Sequence, residues 1–246
     1  MVRALLSELK RALCIAEKDL KEYYLKPPTI SWGLVFPFTF ALAFTLRGRS
    51  GPWLAPSLIT LSLFFGSTSM SAASIVFERR MGSFERLLLY PISYTGIVFG
   101  KVLSSFFFGL LSSSATFAII WMMFLIKPCY PLLLVVSIIG ATFQFSALGV
   151  LLSFAVKDPS QAMTVFNSVR LPMMFLCGLI IPFSRLPPWL RYVSLLLPPT
   201  YATESIKYAF AGSYELLPPT IAIVSTYISF VIILYVTAYF IKRSIP

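Results

Sequence analysis

Long uninterrupted apolar runs dominate this 246-residue chain, and several exceed 18 residues. A run of that length is the mark of a helix that crosses a bilayer. The hydrocarbon core, roughly 30 Å thick, needs about 20 residues at 1.5 Å each. Barrel strands are excluded, since they take about 10 residues and alternate in polarity. The runs fall at residues 29–46, 53–77, 102–126 and 131–156, from Gln161 onward, and at 220–241. Arg47 and Arg49 close the first, and Lys242 and Arg243 anchor the last. The second and third are rich in Ser and Gly (Ser62, Gly66, Ser67, Ser71; Ser104, Ser105, Gly109, Ser112), which lets helices approach closely and hydrogen-bond across an interface. Charged residues are only 12% of the chain, about half the share of a soluble domain. The expected fold is an all-α polytopic membrane protein with six transmembrane helices.

Residues 1–28 read as a separate unit ahead of the transmembrane domain at 29–246. Leu5, Leu9, Ala12, Leu13, Ala16, Leu20, Tyr23 and Tyr24 recur at steps of three and four, with Lys10, Arg11, Glu17, Lys18, Lys21 and Glu22 between them. That pattern predicts an amphipathic helix lying in the membrane interface, or a soluble helix packed on a partner. Pro27 and Pro28 end it. Its charges interrupt the apolar residues, so no cleavable signal peptide is expected. Six spans put both termini on one side. With both in the cytoplasm, thirteen Lys and Arg residues lie inside and six outside, the bias expected of a cell-membrane protein.

Between the second and third runs lies VFERRMGSFERLLLYPISYTGIVFGK, residues 76–101, which carries Glu78, Arg79, Arg80, Glu85, Arg86 and Lys101. Residues 78–86 predict a short amphipathic helix with Met81, Phe84, Leu87 and Leu88 on one side and its charges facing water or a partner. Pro91 ends that helix, and Gly100 and Lys101 open the next run. Such a stretch is either a surface loop obeying the positive-inside rule or a docking element for a cytoplasmic partner.

The fifth run is irregular. Arg170 lies about 12 Å into it, and Pro172, Gly178 and Pro182 follow. A buried arginine in a membrane marks a cavity or gate, unless it snorkels or pairs with a carbonyl freed at Pro172. Residues 181–199 are too rich in proline to span. Residues 189–197, after Pro187 and Pro188, predict a short interfacial helix anchored by Trp189 and Tyr192 within a re-entrant pair.

Several chemistries are excluded or disfavoured. There is no histidine, so His-based zinc sites and acid–base chemistry are absent. Cys14, Cys129 and Cys177 are too scattered for a disulfide framework. Gly96 to Lys101 has three residues between its glycines where a phosphate loop has four, and Val102 stands in place of Ser or Thr. No catalytic residue and no metal site is expected. Asp158 is placed in a turn and Glu204 and Glu215 in an outer loop, which disfavours a proton-driven carrier. The net charge of +11 suits anionic lipid headgroups rather than nucleic acid.

Two stretches together resemble the membrane subunit of type-2 ABC exporters, the ABC-2 permease family. One comprises Glu78, Arg79, Arg80, Met81, Gly82, Ser83, Phe84 and Glu85 with Leu88, Pro91, Gly100 and Lys101, and is similar to that family's cytoplasmic loop between spans two and three. The other comprises Pro172, Phe175, Gly178, Pro182, Leu186, Pro187, Trp189, Leu190, Pro198, Pro199, Thr200 and Tyr201. It is similar to the segment that forms two re-entrant helices before the last span. Ser83 and Phe84 replace a Thr-Leu pair, Cys177 stands where serine commonly precedes Gly178, and Lys207 stands where arginine is common.

The resemblance implies that Glu78, Arg79, Arg80, Gly82, Ser83, Glu85 and Arg86 form a coupling helix seated on a separate ATPase subunit. Pro91, Gly100 and Lys101 would bound the loop, and Pro182, Pro187, Trp189, Pro199 and Tyr201 would shape the re-entrant segment. Two permease chains, alike or different, would enclose the path, and the ATPase would bind the ATP and magnesium. An ATP-independent carrier or channel and a non-transporting scaffold are the alternatives.

Overall fold

The computed structural model describes residues 2–24, 26–46, 54–124, 127–156 and 161–244, which are helices and their connections, with no strand among them. Arg47, Arg49 and the turn at Lys157, Asp158 and Pro159 lie outside these residues.

Helix α4 (Leu54–Arg80) is the axis of the bundle, and every residue from 54 to 76 is buried. Helices α6 (Tyr94–Phe124) and α7 (Pro131–Ala155) grip it through small residues. A Cβ on Gly149 would lie 2.8 Å from the Thr68 Cα, so only glycine lets α7 come this close. The hydroxyls then bond across the seams: Ser62 to Ser112 at 2.7 Å, Ser71 to Ser105 at 2.6 Å, and Thr116 donating to Ser62 at 2.9 Å. Lipid offers no hydrophobic drive between helices, so close packing and these bonds hold the axis in place. Phe64 meets Phe145 of α7 edge to face at 5.2 Å, which locks the α4–α7 interface.

Among the described residues, four helices are long and apolar enough to cross a membrane: Leu54–Arg80, Tyr94–Met122, Pro131–Ala155 and Pro219–Lys242. The last lies in α11 (Pro219–Ser244), at the rim. The first expected span is a helical path broken into α2 (Pro27–Ile30), a π-helical turn (Ser31–Val35) and α3 (Phe36–Leu46). The fifth, α8 (Ala162–Leu176), has 15 residues, about 22 Å. A 3₁₀ turn (Phe183–Arg185), α9 (Pro188–Leu195) and α10 (Pro198–Ala211) fill the proline-rich segment.

Three expectations need correction. Residues 78–86 are not one helix: α4 runs on through Arg80, and α5 (Ser83–Leu88) begins after a turn at Gly82. Gly82 has φ +65°, a left-handed conformation that ends one helix and re-aims the next. Gly100 and Lys101 do not open α6, which starts at Tyr94, so both sit inside it and are buried. Glu204 is not in a loop either, because it is buried on α10.

Candidate functional site

Helix α1 (Val2–Tyr23) lies along the start of α6 and buries Ala12, Ile15, Ala16, Asp19 and Tyr23. This face is rotated from the expected stripe, since Leu9 and Leu13 are exposed. The Cβ that Gly100 lacks would sit 3.0 Å from the Ala12 carbonyl oxygen, so the two helices nearly touch there.

That approach brings three charges together in the interior, with the exposed Lys18 at their edge. Lys101 Nζ donates to both Asp19 oxygens, at 2.8 and 3.0 Å, and to Glu78 Oε2 at 2.6 Å. Lys18 donates to the other Glu78 oxygen, and Ser104 Oγ donates to Asp19 at 3.3 Å. Asp19, Glu78 and Lys101 have no exposed side-chain surface, and two cations balance two anions. Burial pushes the Asp19 carboxyl above the ordinary carboxylate range, against the pull of Lys101 and with a further push from Glu78. The cluster ties α1, α4 and α6 into one unit.

The turn and α5 stand just beyond it. Phe84 is buried among Ile15, Ile97 and Phe154, which fixes α5 to the bundle by its one deep side chain. Leu87 and Leu88 pack half-buried beside it, whereas Met81 lies in the turn and faces outward. Arg79 turns back to donate to the Val156 carbonyl at 2.9 Å, and Ser83 donates to the Glu78 carbonyl at 3.3 Å. Helix α1 holds the far side of the hairpin as well: Arg11 donates to the Pro91 carbonyl, and Glu8 accepts from Ser93 Oγ at 2.8 Å. Arg80, Met81, Gly82, Glu85, Arg86, Leu89 and Tyr90 remain on the surface, Leu89 with 86% exposure. This is a mixed apolar and charged patch on a rigid base.

Arg170, on α8, is elsewhere. It is fully buried and donates to Thr68 Oγ1 at 3.1 Å, Ser69 Oγ at 3.0 Å and Asn167 Oδ1 at 3.1 Å. The Phe65 and Phe166 rings cover its guanidinium at 5.1 and 5.2 Å. It does not snorkel. Instead it pins α8 to the middle of α4.

Beyond α8, Gly178 takes φ +75° against the Phe183 ring, and Tyr201 donates to the Leu195 carbonyl at 2.6 Å. Pro182 and Pro187 precede the 3₁₀ turn and α9, Pro199 is buried, and Trp189 is exposed. Glu204 Oε2 accepts the backbone N–H groups of Glu215, Leu216 and Leu217, at 3.2 to 3.5 Å. These residues form a second, outer group that never meets the first.

Sequence reasoning set Glu78 on a partner-facing helix and Lys101 at a loop boundary, whereas both are buried and paired in the cluster, and it missed Asp19. The signal was present: Asp19 follows Ala12 by seven residues and Ala16 by three, which places an acid on the apolar stripe.

The architecture is that of an integral membrane protein with a charged, tightly packed end. The chain belongs to the ABC-2 type transporter family, whose pattern it matches over residues 13–211. It is 24% identical over 216 residues to the transport permease ycf38 of Porphyra purpurea, covering 81% of this chain and 73% of that one. The ycf38 protein of Cyanophora paradoxa is 26% identical over 210 residues, with 76% and 70% covered. The multidrug ABC transporter permease YbhR of Escherichia coli is 22% identical over 159 residues, 64% of this chain and 43% of that one.

Proposed function

We propose that this chain is the permease subunit of an ATP-driven exporter, working with a second permease chain and a separate ATPase that binds the ATP and magnesium. In this reading it crosses the cell membrane six times, through residues 27–46, α4, α6, α7, α8 and α11, with both termini in the cytoplasm. Helices α9 and α10 are the re-entrant pair. Helix α5 is the coupling helix, and its ATPase-facing residues are Arg80, Met81, Gly82, Glu85 and Arg86. The observation that carries the reading is the buried Asp19–Lys101–Glu78 cluster directly behind the exposed α5 patch. Force applied to α5 passes through it to α4 and α6 together, where a flexible loop would absorb it. Export follows if closure of an ATPase dimer pushes on two such ends and tilts the two bundles.

Family membership supports an ATPase partner, because the permease has no phosphate loop of its own. Glu204 is buried, but three backbone N–H groups engage it in holding the 215–217 segment, which is a structural use rather than a proton relay. The test is co-purification of the tagged chain from its native membrane with a polypeptide bearing an ATPase phosphate loop. The charge-reversed pair Glu85→Lys with Arg86→Glu should insert at normal abundance and lose that ATPase. Undiminished capture by the pair would remove α5 from the interface. Transport by the lone chain in nucleotide-free liposomes would favour the carrier reading.

A further inference from the structure

An open groove of ≈ 630 Å³ lies between the start of α6 and the end of α11, and none of its lining residues belongs to α5 or contacts Arg170. One wall is Ser93, Tyr94 and Thr95, and the other is Tyr235, Tyr239 and Lys242. The three α11 residues are spaced i, i+4, i+7 and therefore share a face. Continuing that face backwards gives Val231, Ile228 and Val224, all exposed. The stripe thus runs from aliphatic, through two tyrosines, to a cation. From Val231 to Lys242 it covers about 16 Å, half of the roughly 30 Å hydrocarbon core.

Lys242 is exposed and makes no ion pair among the described residues. Tyr235 keeps 71% of its surface open. On the α6 wall the Ser93 and Thr95 hydroxyls lie 3.0 Å apart. The nearby acid, Glu8, is engaged by the Ser93 N–H and hydroxyl on the α1 side.

We propose that this groove binds the headgroup phosphate of an anionic phospholipid. Lys242 supplies the charge and the Thr95 and Tyr239 hydroxyls serve as donors, while an acyl chain lies along Val231, Ile228 and Val224. The order of chemistry along the stripe selects a lipid over a free anion. A soluble phosphate would need the cation and hydroxyls only, and would gain nothing from the aliphatic run that leads to them. Tyrosines at this depth sit where a lipid's headgroup meets its chains.

The test uses the full chain in detergent, observed by native mass spectrometry with dioleoyl phosphatidylglycerol or dioleoyl phosphatidylcholine added. Phosphatidylglycerol should be retained preferentially, and Lys242→Gln should lower its bound fraction about fivefold, the worth of one basic residue at an anionic surface. Thr95→Val, with an unchanged melting temperature, should lower it as well. Lys127→Gln, beyond the opposite end of α6, should leave it unchanged. Equal retention of the two lipids, or full retention by Lys242→Gln, would overturn the proposal. Displacement of the lipid by millimolar inorganic phosphate would overturn it too, as the mark of a plain anion site. None of these readouts involves an ATPase, so the result stands apart from the exporter reading.

Discussion

Lys101 and Arg170 are both buried without exposed surface, and their surroundings are opposite. Lys101, near the end of the bundle, is met by two carboxylates drawn from α1 and α4. Arg170 rests at mid-height of α4 on two hydroxyls, an amide and two aromatic faces. A charge pair needs both members, so the first arrangement holds separate elements in register and fails badly if one member goes. Neutral dipoles and ring faces tolerate loss of their cation better, because no opposite charge is left behind without a partner. Thr68 Oγ1 also donates to the Phe64 carbonyl at 2.5 Å. The first site is thus a joint that clamps three helices together, and the second pins α8 to α4.

The strongest way to break that contrast is Lys101→Met. It strands Asp19 and Glu78 together in the interior, and breaking a buried pair from one side costs about 3–5 kcal/mol. Thermal unfolding in detergent should show a large fall. Adding Asp19→Asn and Glu78→Gln to the same chain should recover most of it, because no charge is then left without a partner. A single-variant cost under about 1 kcal/mol would mean that water screens the cluster, as it does surface pairs, and the joint would lose its physical basis.

Arg170→Met should cost less, about 1–2 kcal/mol, from lost hydrogen bonds and ring contacts offset by release from burial. Measured beside Lys101→Met in the same detergent, it decides the comparison directly. If Arg170→Met is the more damaging of the two, the hydroxyls and rings are a poorer substitute for the cation's absence than the geometry implies. The arginine would then carry the α4–α8 contact.

How much of this was legible beforehand depends on the scale of the signal. Apolar run length located α4, α7 and α11 within a few residues, because bilayer thickness fixes helix length and leaves little freedom. The α6 start was missed by about eight residues. Lys101 looked like a boundary charge, and only its partners, one on α4 and one 82 residues earlier on α1, make it an interior residue. The same absence of tertiary information hid the split at Gly82, since periodicity continues across a turn that re-aims a helix without breaking its pattern. Arg170 was read as a cavity or gate residue, a snorkelling residue or a carbonyl cap. Its actual ligands, Thr68 and Ser69, lie about 100 residues away, where only packing brings them.

The smallest expected effect concerns protons, and it tests the balance of burial and charge inside the first site. Asp19 is surrounded by Lys101, Lys18 and Glu78, and burial leaves its carboxyl above its ordinary value near 4. A carboxyl raised in the folded state binds protons more readily there than in the unfolded chain. Its contribution to stability is therefore complete below about pH 4 and is lost as pH rises through the raised value. The melting temperature of the wild type minus that of Asp19→Asn should accordingly decline with rising pH across that window. A wild-type advantage that grows with pH would mean Lys101 outweighs burial at Asp19, which would make the cluster a strong attractive pair rather than a compromise between burial and charge.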